Sequence, residues 1–177
     1  LSDNQTESSN VAIGSYAANN TTVGSTTAVG VNSLFSNTSG LQNTAIGYQA
    51  LYENEDGDSN TAVGYNALYN FEADTDGHGG NTAVGTQAGE GITTGTYNTA
   101  VGVSALDAGS GTGDHNVAVG RMALTANSSG TYNVALGSSA LASNISAEHN
   151  TALGHGALYT NSTGDNSVAI GGYALYN

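Results

Sequence analysis

The fold is decided by a ten-residue stretch, Asn43-Thr44-Ala45-Ile46-Gly47-Tyr48-Gln49-Ala50-Leu51-Tyr52. It returns almost unchanged at residues 60–69, where the letters read Asn-Thr-Ala-Val-Gly-Tyr-Asn-Ala-Leu-Tyr. The glycine that closes the first half recurs along the whole chain after steps of 16, 17, 17, 21, 17, 18, 17, 17 and 17 residues. So steady a period indicates a repeat protein in which each unit stacks on the next. The ten glycines are Gly14, Gly30, Gly47, Gly64, Gly85, Gly102, Gly120, Gly137, Gly154 and Gly171.

Each repeat is typical of short strands joined by turns. β-Branched residues, Gly, Asn, Ser and Thr dominate, and no 3.6-residue periodicity indicates a helix. We predict an all-β, parallel β-roll (a β-solenoid) of about ten coils, with one coil per 17-residue repeat. The array is expected over residues 10–177 as a single unit. Residues 1–9 are expected to be frayed or to be the tail of an earlier repeat, and a start at Leu1 rather than Met indicates a processed chain or a piece of a longer one.

Side-chain alternation divides each predicted strand into two faces. Thr44 and Ile46 share one face, and Ala45 and Gly47 share the other. We expect the branched face to fill the interior of the coil and the Ala/Gly face to let another backbone come close.

An asparagine opens most repeats, and we expect it at a bend, with its amide bonded to backbone or to the Asn one coil away. Together with the glycines, these residues are the predicted structural repeat positions. The asparagines are Asn43, Asn60, Asn81, Asn98, Asn116, Asn133 and Asn150.

Composition limits both stability and partners. Only 31 of the 177 residues are Leu, Ile, Val or Phe, so a single copy has a slender core and burial between chains is expected. One Arg stands against fourteen carboxylates, for a net charge of −13, so we expect no nucleic-acid partner. No apolar run approaches the roughly 20 residues of a membrane helix, so we expect no membrane insertion by this segment.

The repeats resemble a known family. Ser167-Val168-Ala169-Ile170-Gly171 and residues 10–14 resemble the Ser-Val-Ala-Ile-Gly repeat of trimeric autotransporter adhesin heads, which are YadA-like. The longer phrase at residues 60–69 is similar to repeats of bacteriophage tail fibres. The resemblance implies a left-handed parallel β-roll, a homotrimer of chains side by side, and an extracellular location on a cell surface or a virion tail fibre.

The one irregular unit, between Gly64 and Gly85, carries an acidic loop. Glu55 and Glu72 each lie eight residues past their glycine, so stacking brings them about one strand spacing apart. Like charges that close raise each other's pKa unless a cation intervenes. Calcium held by Glu55, Glu72, Asp74 and Asp76 is one interpretation. A solvated acidic loop with no cofactor is the alternative, and we prefer it.

Tyrosines recur at two positions of the repeat and predict either a ligand stripe or packing between chains of a trimer. The candidates are Tyr48, Tyr52, Tyr65, Tyr69 and Tyr159. His78, His115, His149 and His155 are scattered without metal-ligand spacing and are expected to be surface or turn residues.

We therefore expect a structural and adhesive fibre segment that attaches to a host-cell or surface receptor, for which a glycan is one candidate, and not an enzyme. A carbohydrate-binding module is the main alternative. Ice binding is a further alternative, suggested by a column of threonines at Thr44, Thr61, Thr82, Thr99 and Thr151. It ranks low because these residues are expected to face the interior. A tailspike-like glycan hydrolase needs two carboxylates flanking a groove, and it ranks low because the acidic residues cluster in one pair of loops without accompanying Trp or Arg.

Overall fold

The computed structural model describes residues 9–75 and 77–177, and this part of the chain contains ten three-residue strands joined by turns, with no helix. All ten strands lie in one parallel sheet in chain order. The predicted all-β parallel β-solenoid is confirmed, with one strand of this sheet per repeat. Asp76 and residues 1–8 of the predicted leading segment lie outside the described residues. The strands are β1 Val11–Ile13, β2 Thr27–Val29, β3 Thr44–Ile46, β4 Thr61–Val63, β5 Thr82–Val84, β6 Thr99–Val101, β7 Val117–Val119, β8 Val134–Leu136, β9 Thr151–Leu153 and β10 Val168–Ile170.

The strands pair so that each residue meets its own equivalent on the next coil. Between β3 and β4 the partners are Thr44 with Thr61, Ala45 with Ala62 and Ile46 with Val63. Backbone bonds continue past the strand ends, because the Gly64 amide donates to the Ile46 carbonyl at 2.8 Å. The 17-residue period therefore sets the register of the sheet, because one repeat length brings the chain back to the same position on the next strand.

The predicted orientation of the strands is wrong. The central alanine points inward and is fully buried at nearly every coil, as at Ala45 and Ala62, while Ile46 is 40% exposed. The flanking Thr44 is half-buried on the outer side. The interior of the coil is narrow, so a methyl group fits there and a branched side chain is turned to the outside.

The glycine after each strand is required by close approach of the backbones. Gly64 has a φ of 143°, a value that side-chain-bearing residues rarely adopt. A Cβ built on it would overlap the carbonyl oxygen of Gly85 on the next coil. The same holds from Gly14 to Gly154, so the glycine column fixes how tightly the coils stack.

The wall opposite the strands is built from the recurring Ala-Leu pair. Ala50 and Leu51 are fully buried, and Leu51 adopts a left-handed backbone with a φ of 53°. That conformation costs about 1–2 kcal/mol in a residue with a Cβ. Burying a leucine side chain returns roughly 1.5–3 kcal/mol, which offsets the strain. In the fifth coil Gly89 takes this position without strain, and Ile92, 2% exposed, fills the core beside it.

The asparagine ladder is confirmed in its bonding. The side-chain oxygen of Asn43 accepts from the backbone amide of Asn60 at 2.9 Å, and the side-chain amide of Asn43 donates to the Gly57 carbonyl at 2.6 Å. The same oxygen-to-amide link runs from Asn43 through Asn150, where Ser167 ends it. The left-handed residue of the bend is the one before the Asn, such as Ser59 with a φ of 60°.

The four extra residues of the irregular unit are absorbed outside the stack. Phe71 is fully buried and lies against Gly57, where it anchors the start of the enlarged loop. An isolated parallel bridge between Asp58 and Gly79 then returns the chain to register before β5.

Candidate interaction surfaces

The outward side chains of the ten strands form one regular apolar strip, which we call the outer strand face. Its first column holds only Thr or Val, and its second holds only Val, Ile or Leu. Exposure reaches 38% at Val84, 44% at Leu153 and 69% at Ile170. At about 4.8 Å per strand, the strip is roughly 45 Å long. Its residues are Val11, Ile13, Thr27, Val29, Thr44, Ile46, Thr61, Val63, Thr82, Val84, Thr99, Val101, Val117, Val119, Val134, Leu136, Thr151, Leu153, Val168 and Ile170.

The outer strand face carries no charge, although the chain as a whole is strongly acidic. None of the ten strands contains Asp, Glu, Lys, Arg or His, and every charged residue within residues 9–75 and 77–177 lies in a turn or loop. An exposed apolar strip of this length on an acidic protein is typical of a surface that another molecule covers.

The predicted tyrosines stack in pairs on neighbouring coils. Tyr48 and Tyr65 have ring centroids 5.4 Å apart and nearly parallel planes. Phe35, Tyr52 and Tyr69 form a three-ring stack with spacings of 5.2 and 5.1 Å. Burial, followed by nearby Glu53, Tyr52 and Tyr48, raises the pKa of Tyr69, so the two stacks lie close together on one side of the solenoid.

This stacking decides what the tyrosine stripe can bind. A sugar ring usually packs on the open face of an aromatic ring, whereas inside these stacks each face is covered by the neighbouring ring. The ring edges and hydroxyl groups remain at the surface, with Tyr48 44% exposed and Tyr65 50% exposed. Flat sugar stacking is thus limited to the terminal rings of each stack.

A second aromatic column was missed by the sequence analysis. Tyr97, His115, Tyr132 and His149 stack in alternation, with centroids 5.1, 4.9 and 5.1 Å apart and planes within 16° of parallel. Each residue directly precedes the opening asparagine of its repeat. This common position in the repeat is the sequence signal that could have identified the column. It also shows that two of the four histidines occupy equivalent positions in their repeats.

The acidic loop brings Glu72 beside Glu55, as expected, and also beside Asp56. Its Oε2 accepts from the Glu55 backbone amide at 2.7 Å. Burial, with the nearby Asp56 and Glu55 charges, raises the pKa of Glu72 to about 7. A proton on Glu72 removes its repulsion with these two carboxylates.

Asp74, the other described residue of the predicted calcium site, has a different partner. Asp74 contacts His78, with Oδ1 3.5 Å from Nδ1, at the exposed surface. Within residues 9–75 and 77–177, no three His, Asp or Glu side chains are grouped closely enough to hold a metal ion. Asp76 is outside those ranges, so the calcium set is not assembled by the residues that are described.

Three further aspartates have a structural role that the sequence analysis did not assign. Asp58, Asp114 and Asp165 occupy the same place in their repeats, and each accepts from a backbone amide one coil earlier. The donors are Leu41, Thr96 and Glu148, at 2.6, 2.7 and 2.8 Å. These carboxylates satisfy the backbone where strand pairing has ended, and so they are turn residues.

One more carboxyl group is perturbed, that of Asp107. Burial, together with the nearby charge of Glu90, raises the pKa of Asp107 to about 6. The Asp107 side chain is hydrogen-bonded to the Ser104 side chain and the Gly91 backbone. The side chain of Glu90 accepts from the side-chain amide of Asn66 at 3.0 Å. Both carboxyl groups are therefore occupied by the fold.

A cavity of about 340 Å³ opens at the C-terminal end of the solenoid. Leu158 and Leu175 line it together with polar residues 160–164 and Asn177, and none of these carries a carboxylate or an imidazole. Its position is the uncovered end of the core, where Leu175 is 60% exposed.

In the part of the chain that is described, no helix is long and apolar enough to cross a membrane. No protein-family model matches the chain, and comparison with curated proteins and with solved structures likewise gives no match.

Proposed function

We propose that the chain is a structural and adhesive segment of an extracellular homotrimeric fibre, either a surface adhesin head or a tail-fibre shaft. The observation that carries the proposal is the outer strand face, which is apolar, uncharged and regular over all ten coils. A partner that repeats at the same spacing covers such a strip best, and another copy of this chain has that spacing.

The distribution of charge supports self-association. No strand contains a carboxylate, so three outer strand faces can meet without burying a charge. The slender core supports it too, because the inward residues of each strand are alanines, which contribute little apolar area. The number three comes from the resemblance to trimeric adhesin heads and tail fibres. The proposal assigns no catalytic role.

Analytical ultracentrifugation at micromolar concentration tests the assembly. We expect a trimer, and we expect Val84→Glu, which places a charge in the middle of the outer strand face, to give mostly monomer. Ile145→Glu is the matched control, since Ile145 is 50% exposed and lies in a turn outside the strands. A wild-type chain that remains a folded, cooperatively melting monomer would sink the proposal.

Adhesion is tested separately with beads that carry the assembled chain under flow over a glycan array. Retention that is lost with Val84→Glu and kept with Ile145→Glu supports a multivalent adhesive role for the trimer. Retention by the monomeric variant at full strength points instead to a carbohydrate site within one chain, at an open end of the tyrosine stacks.

Ice binding is a second use of the same face, and one observation favours it. The threonines were expected inside the coil, but Thr44, Thr61 and Thr82 are half-buried on the outer side, at strand spacing. It ranks second because valines at four of the ten positions interrupt the hydroxyl column. Thermal hysteresis measured on the wild type discriminates the two, since a trimer would cover the threonines.

A further inference from the structure

Three parallel stacks differ from the other aromatic stacks in the described part of the chain, because both of their rings are tyrosines and so carry a phenol. The pairs are Tyr48 with Tyr65, Tyr52 with Tyr69, and Tyr159 with Tyr176, with centroids 5.4, 5.1 and 5.0 Å apart and planes within 16° of parallel. All six positions lie outside the strands, so they are not part of the outer strand face.

The backbone ladder holds these pairs in place. The backbone amide of Asn66 donates to the Tyr48 carbonyl at 3.0 Å, and the backbone amide of Glu53 donates to the Tyr69 carbonyl at 3.1 Å. Each pair therefore consists of equivalent residues on adjacent coils, with rings held side by side before any reaction. Two groups fixed at such a distance react as if at very high concentration.

The rings also expose the atoms that a coupling reaction uses. Stacking covers the ring faces that meet within each pair, and the rings remain accessible to different extents, with Tyr48 44%, Tyr65 50% and Tyr176 37% exposed and the other three half-buried. The edge of a tyrosine carries the hydroxyl group and the Cε carbons beside it. In a tyrosyl radical the unpaired electron is shared between the oxygen and those carbons.

We propose that these three pairs are sites of oxidative coupling, each forming an intramolecular dityrosine that staples two neighbouring coils. The oxidant is hydrogen peroxide, used by a haem peroxidase. Each phenol loses one electron and its hydroxyl proton, and the two radicals join through a new Cε–Cε bond. The hydrogen on each joined Cε then moves to the oxygen and restores the ring. One peroxide takes up two electrons and two protons and leaves as two waters for each cross-link.

The alternating column supplies a built-in comparison. Tyr97 and Tyr132 are 57% and 52% exposed, more than any ring of the three pairs, but each stacks on a histidine. No phenol lies on the adjacent coil in that column, so oxidation there has no partner. Tyr16 is similarly placed, at 63% exposure, against Phe35. Tyr173 contacts Tyr176 edge-on at 65°, so it competes for coupling at the C-terminal pair.

The experiment treats the native chain with a haem peroxidase and hydrogen peroxide, then measures dityrosine fluorescence and sequences the cross-linked peptides by mass spectrometry. We expect links 48–65, 52–69 and 159–176, each with a loss of two hydrogens, within one chain. Tyr65→Phe with Tyr69→Phe keeps the stacked rings and removes two of the three phenol pairs, so fluorescence should fall by about two-thirds.

The matched control is Tyr97→Phe with Tyr132→Phe, which removes two tyrosines that are more exposed than Tyr65 and Tyr69 and should leave the yield unchanged. Circular dichroism checks that both double variants keep the fold. Equal loss in the control, links spread at random over the ten tyrosines, links formed only between chains, or the same three links in urea-unfolded chain would each overturn the proposal. The test does not depend on whether the chain is a trimer.

Discussion

The strand wall and the enlarged loop are two regions of one stack that obey different constraints. The strand wall consists of the ten strands with the residue before each, an asparagine at eight of them, and the glycine after it, and it keeps the same residue types over nearly all coils. The enlarged loop, residues 71–80, takes up four extra residues and leaves the register of β4 and β5 unchanged. Within the wall most residues lie between residues of the same or a similar type, whereas in the loop a residue meets whatever the next coil offers.

This difference explains where variation is tolerated. A change in the strand wall meets identical neighbours above and below, so bulk or lost hydrogen bonds act on two interfaces at once. In the loop, half-buried carboxyl groups such as Glu72 lie between unlike partners, and the effect of a change depends on charge and pH. The following predictions test that distinction, from the largest effect to the smallest.

Gly64→Ala should break the strand wall most severely. The new methyl overlaps the Gly85 carbonyl, and the residue must keep a φ of 143°, so we expect a loss of about 3 kcal/mol or more in the free energy of unfolding. Urea unfolding followed by circular dichroism measures it. The control is Gly109→Ala in a turn, where a Cβ meets nothing within 4 Å. Similar stability for both variants would contradict the close stacking of the wall.

Ala62→Val compared with Thr61→Val separates the inner from the outer side of one strand. Ala62 is fully buried between Ala45 and Ala83, so two extra methyl groups should cost about 1–3 kcal/mol. Thr61 points outward, and Val occupies its position in β1, β7, β8 and β10, so its replacement should stay within about 0.5 kcal/mol. Thermal melting at one fixed protein concentration compares them. A larger loss for Thr61→Val would reverse the orientation described here.

Glu72→Gln tests the loop and should have the smallest effect, with the opposite sign. The folded-state pKa of Glu72 is about 7 against an ordinary 4.5, so between these values the folded chain holds a proton that the unfolded chain has lost. Its contribution to stability is therefore full below about pH 4.5, falls as pH rises to 7, and is unfavourable above that.

Glutamine resembles the protonated acid, since it can accept from the Glu55 amide and donate to Asp56. We expect Glu72→Gln to stabilise the chain by about 1 kcal/mol at pH 8 after allowance for solvent screening, and to change little at pH 4. Unfolding curves at both pH values measure it, with Glu148→Gln on an exposed turn as the control. Equal effects of Glu72→Gln at the two pH values would show that Glu72 does not hold the extra proton.

The sequence by itself determined the architecture, because a repeat of constant length can return the chain to register only by stacking. The bonding of the ladder from Asn43 to Asn150 followed in the same way, since identical residues at one period must lie above one another. The aromatic columns were also open to prediction from position, although the column from Tyr97 to His149 was found only in the structure.

Only the tertiary structure decided which side of each strand is the interior. The alternation of side chains along a strand places Thr44 and Ile46 on one face, but it does not say whether that face points into the coil or out of it. The width of the closed coil breaks that symmetry, because the space between the strand and the Ala50–Leu51 wall admits the methyl of Ala45 and no larger group. The raised pKa values of Glu72 and Asp107 likewise depend on burial, which is set by how neighbouring coils cover one another and not by spacing along the chain.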